Sequence, residues 1–140
     1  MTESSNKRVL IIDRQSYWRD KVAAALREQG YHVQILSSYD YEPPRIDDEE
    51  GVADLVILGC PRLSREERDL INRILSNHQR LVVFCSSLPW GDMRTLFMAG
   101  ADDVADKPYD PAKVISVVQE VFTNIAGGDK NKPPERIGAL

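Results

Sequence analysis

Residues 54–59 read DLVILG, an acid followed by an unbroken aliphatic run and then a glycine. A strand with one face in water alternates polar and apolar residues, whereas this run is apolar on both faces. That pattern belongs to a central parallel strand covered by helices above and below. Two further runs support this reading: RVLII at 8–12, ending on Asp13, and LVVFC at 81–85. Each is short, β-branched or aromatic, and bounded by polar residues, as buried strands are. YHVQIL at 31–36 and a short segment around Val104 complete a set of five.

Helical spacing fills the gaps between the strands. Trp18, Val22, Ala25 and Leu26 form one stripe, which Gly30 stops. Ser64 with Glu67 makes a capping box ahead of Leu70, Ile71, Ile74 and Leu75. Pro89 opens another helix, with Met93, Leu96 and Phe97 expected to face inward. Asp110 and Pro111 begin the last, whose stripe is Val114, Val117, Val118, Val121 and Phe122. Between residues 37 and 51, Pro43-Pro44 forbids a regular helix, so any helix there is short or displaced. Strands alternating with helices predict an α/β, doubly wound parallel sheet with right-handed crossovers.

Length and composition narrow the class. A chain of 140 residues, 42% hydrophobic and 29% charged, suits one globular domain. A net charge of −4 argues against a broad nucleic-acid surface. No apolar run approaches a membrane span, and MTESSNKR is no secretory signal. Two cysteines fit a reducing compartment, so a cytoplasmic location is expected. The expected layout is a tail at 1–6, a folded domain at 7–125 and a disordered tail at 126–140. That tail is too short for a DNA-binding output module, so an adaptor, or a piece of something longer, is expected.

The segment AGADDVADKPYDP, residues 99–111, together with RVLIID, DLVIL and the Lys107-Pro108 pair in that order, is similar to the receiver domains of response regulators. These are the phospho-accepting modules of two-component signalling. The resemblance spans about residues 7–125 and implies a flavodoxin-like sheet of strand order 2-1-3-4-5. Carried over position by position, it also implies a degenerate phosphorylation site. Asp13 matches one of the two acids that hold magnesium, but Arg14 replaces the other. The phospho-accepting aspartate falls at Gly59, the hydroxyl residue at Cys85 and the switch aromatic at Val104, while Lys107 is retained.

Chemistry then predicts loss of function at that site. Magnesium prefers an array of hard oxygens, which Asp13 beside a permanent cation does not provide. Glycine cannot serve as the carboxylate nucleophile. The expectation is a pseudo-receiver: not an enzyme, without cofactor or metal, acting by binding another signalling protein. Its magnesium site is expected to be lost. The alternatives are residual phosphorylation elsewhere, or a small ligand in the strand-end crevice, although Asp13-Arg14-Gln15-Ser16 contains no phosphate-cradling glycine. Asp13 is expected to pair with Arg14 or Lys107, unless Arg14 merely extends into solvent.

Trp90, Arg94, Val104 and Tyr109 are the expected contributors to a docking or homodimer face, built from the helix after the fourth strand, the fifth strand and the last helix. Trp90 could equally fold back over its helix start as core cover. Cys60 and Cys85 are either a redox pair or two small buried hydrophobes. His32 and His78 have no partner at ligand spacing. Asp102 and Asp103 read as turn residues, and Asp54 lies at the wrong end of its strand to accept phosphate. The acidic run 47–50, near Tyr39, Tyr41 and the prolines, is a solvated loop or an altered partner-facing one.

Overall fold

The computed structural model describes residues 7–44 and 52–126. Its elements are β1 (Arg8–Ile12), α1 (Ser16–Glu28), β2 (His32–Leu36), β3 (Leu55–Cys60), α2 (Arg65–Ser76), β4 (Leu81–Cys85), α3 (Trp90–Ala99), β5 (Asp103–Asp106) and α4 (Pro111–Ala126). The five strands pair in parallel in the order β2-β1-β3-β4-β5. The α/β, flavodoxin-like single-domain architecture is therefore the one expected. All six residues of β3 are buried, as its two-sided apolar run requires.

Because successive strand residues point to opposite faces, the sheet builds two cores. Val9, Ile11, Leu55, Ile57, Val82 and Phe84 meet Val22 and Leu26 of α1 and Val114 and Val118 of α4. Leu10, Ile12, Val56, Leu58, Val83 and both cysteines meet Leu70 and Ile74 of α2 and Leu96 of α3. The Ser64 capping box forms, and Asp110 Oδ1 accepts the Ala112 N–H at 2.9 Å ahead of α4. Gly100 closes α3 at φ 116°, a left-handed setting that side chains resist.

Three details differ from expectation. Phe97 does not face inward: it is 41% exposed, because α3 buries only Leu96 and Ala99 and leaves apolar residues on its outer side. Gly59 is the penultimate residue of β3, which runs on to Cys60. No helix occurs among the described residues linking β2 to β3, residues 37–44 and 52–54. The acidic run 47–50 and the tail from residue 127 lie outside the described residues.

Candidate functional site

β1 and β3 end side by side, and the residue after β1 is Asp13, fully buried. Its backbone N–H donates to Leu36 O at 3.1 Å, which extends the β1–β2 pairing by one residue. The Gln15 N–H returns to Asp13 Oδ1 at 2.8 Å, a local turn that holds the carboxylate over the strand ends. A buried carboxylate needs a counter-ion. It finds one in Lys107, whose Nζ lies 2.8 Å from Asp13 Oδ2 and whose side chain is almost fully buried. The same ammonium donates to Gln15 Oε1 at 2.5 Å. Lys107 itself is placed by its backbone N–H, which donates to Cys85 O at 3.2 Å.

Of the two cations expected to pair with Asp13, Lys107 is therefore the partner. Arg14 turns away. Its guanidinium pairs with Glu66 at 2.5 Å and lies 3.9 Å from the centre of the Tyr39 ring. The hydrogen bond to Glu66 raises the Arg14 pKa further above its ordinary value. Burial opposes ionisation of Glu67, yet hydrogen bonds from the Ser64 hydroxyl and backbone N–H hold its carboxyl below the usual carboxylate range.

Gly59 faces Asp13, and the space beside it is filled. A Cβ at this position would overlap the Asp13 carboxylate and come within 2.9 Å of the Trp18 ring. Glycine is thus the residue that lets these two side chains sit where they do. Trp18 reaches across from the first turn of α1, and its Nε1–H donates to Pro108 O at 2.9 Å. Its ring packs against Phe84, centroid to centroid at 5.6 Å, and lies 4.8 Å from Lys107 Nζ. In the periodic pattern Trp18 was one member of a core stripe; its role at the crevice had no separate signal. Gln15 had none either.

Cys85 is not in this group. Phe84 is the β4 residue in register with Gly59, while Cys85 pairs with Cys60 and belongs to the opposite core. Both thiols are free and buried, and Cys85 Sγ donates to Ser87 O at 3.2 Å. Burial, reinforced by the neighbouring Cys85, pushes the Cys60 thiol far above its usual range. That makes it a poor nucleophile.

The donor set does not fit magnesium. One Asp13 oxygen accepts a backbone N–H, the other faces an ammonium, and the adjoining position is a guanidinium committed to Glu66. Among the described residues, no cluster of three or more His, Cys, Asp or Glu could hold a metal ion.

The expected docking face separates into exposed and hidden members. Trp90 is 78% exposed and Tyr109 93%, and Arg94 is also on the surface. Trp90 therefore does not fold back as core cover. Val104 is only 4% exposed, packed into the core of α2 and α3, and offers nothing to a partner. A strand residue in register with Val83 points inward by pleat geometry, which corrects its expected place on the face. Asp54 Oδ2 accepts the Arg8 N–H at 2.8 Å, and Asp102 Oδ2 accepts the Leu81 N–H at 2.8 Å, both at the end of the sheet remote from the crevice. Among the described residues, no helix is long and apolar enough to cross a membrane.

No protein-family model matches the chain, and no curated protein matches its sequence. Solved structures do match its shape. A receiver domain protein described as CheY-like, from Methanospirillum hungatei, aligns over 87% of this chain and 98% of its own at a TM-score of 0.69 and 20% identity. A response regulator receiver domain from Clostridium thermocellum aligns over 86% and 97%, at 0.70 and 15%. An orphan response regulator of H. pylori aligns over 84% and 98%, at 0.67 and 20%. The chain has the fold of response regulator receiver domains.

Proposed function

We propose that the chain is a pseudo-receiver, a signalling domain of the two-component type that works without phosphorylation at the usual position. It carries out no catalysis, holds no metal or cofactor, and acts in the cytoplasm by binding another signalling protein. The observation that carries this reading is the filled space at Gly59, where Asp13 and Trp18 leave no room for a nucleophilic side chain. In the crevice, Asp13 is fully buried, with Oδ1 accepting a backbone N–H and Oδ2 against the Lys107 ammonium. Docking is assigned to the face of α3, β5 and α4, through Trp90, Arg94 and Tyr109. Two large aromatics, at the start of α3 and in the β5–α4 loop, each more than three-quarters exposed, support that choice.

Incubation with a small phosphodonor and Mg²⁺, followed by intact-mass measurement, tests the chemistry. No mass gain is expected; a base-labile phosphoryl adduct would establish residual phosphorylation instead. Affinity capture of the native protein, repeated with Trp90→Ala, tests the face. Loss of the same partner is expected, and self-association abolished by Trp90→Ala would identify the partner as a second copy.

A further inference from the structure

We propose that Trp18 is a resident latch: it occupies the crevice in place of a ligand and fixes the segment Lys107-Pro108-Tyr109, so that Tyr109 is displayed in one setting. The inference rests on reading the crevice as phosphorylation-independent and adds what sets its conformation. The segment leaves β5 with the Lys107 N–H bonded to Cys85 O and enters α4 with the Ala112 N–H bonded to Asp110 Oδ1. Between these two tethers lies the bond from Trp18 Nε1 to Pro108 O. The same indole lies beside the Lys107 ammonium and against Phe84, and it depends on the absence of a side chain at Gly59. One side chain of α1 thus reads the ends of β3, β4 and β5 together. Next along the chain from the latched carbonyl is Tyr109, the most exposed large hydrophobic residue among the described ones. A crevice occupied by Trp18, with its loop held internally, presents a constant surface.

Trp18→Phe separates a latch from simple packing, because it keeps an aromatic ring and removes the N–H donor. Amide hydrogen exchange is followed by NMR at Lys107 and at Ile57 in the central strand. Loss of one hydrogen bond should raise exchange at Lys107 about fivefold relative to Ile57. A ratio that does not change, whether both rates rise together or neither moves, overturns the latch. If Trp18→Phe does not fold, the wild-type indole protons decide. The Trp18 proton is expected to exchange more slowly than that of exposed Trp90, and equal rates overturn the proposal. Neither measurement uses a phosphodonor, so failure here is distinct from failure of the phosphorylation experiment.

Discussion

The chain places one tryptophan at the strand-end crevice and another on the α3 surface, and the two serve opposite ends. Trp18 spends its polar atom inside the molecule, on Pro108 O, and its ring on Phe84 and Lys107. Trp90, at the first position of α3, leaves 78% of its surface in water. The crevice is closed by its own residues, while the α3 side is left open. On the reading proposed above, the receiver fold keeps its scaffold while its strand end turns structural and its outer face is left for binding.

The sharpest way to break this comparison is to attack the closed end. Lys107→Met should destabilise the protein by about 3–5 kcal/mol, because Asp13 is left buried without its cation. Thermal denaturation measures this, and a change near zero would mean that Asp13 does not need the pair. Gly59→Ala is the next largest effect, at about 1–3 kcal/mol, since its methyl must displace Asp13 or Trp18. By the same geometry Gly59→Asp should not restore phosphorylation by itself; a phosphoryl adduct on that variant would show that the crevice opens readily.

Acid sensitivity comes from beneath the same end. The folded state depresses the Glu67 pKa, so its contribution is complete above the unfolded value, about 4.3, and is lost as pH falls through the folded value. Glu67→Gln should flatten the stability profile across that acid window while leaving the profile above it unchanged in shape. Cys60 and Cys85 should resist alkylation in the native state and react once unfolded, because both thiols are buried away from reagent; rapid native labelling would return them to the redox reading. The smallest stability change belongs to the open face: Trp90→Ala should shift stability by about 0.5 kcal/mol or less while abolishing capture of the partner.

Much of the fold was legible because its signals are local. The apolar run of residues 54–59 announced a central strand, and the Ser64–Glu67 spacing marked a helix start. The strand order followed from the resemblance of the ordered motifs rather than from periodicity. Asp13, Gly59 and Lys107 were also legible as members of one crevice, since strand ends converge in this architecture. Phe97 and Val104 were misplaced for a shared reason. Whether a side chain of a marginal element faces in or out depends on which neighbour covers it, and no spacing rule contains that neighbour.

Residue order alone therefore determined an α/β sheet, its element sequence and the absence of a nucleophile at position 59. Tertiary structure alone decided that Lys107 rather than Arg14 neutralises Asp13, that Trp18 fills the gap over Gly59, and that Trp90 stays in water. The physical reason is range. Backbone preference and hydrophobic period act over a few neighbouring residues, whereas charge pairing and void filling are settled between side chains that only the folded chain brings together.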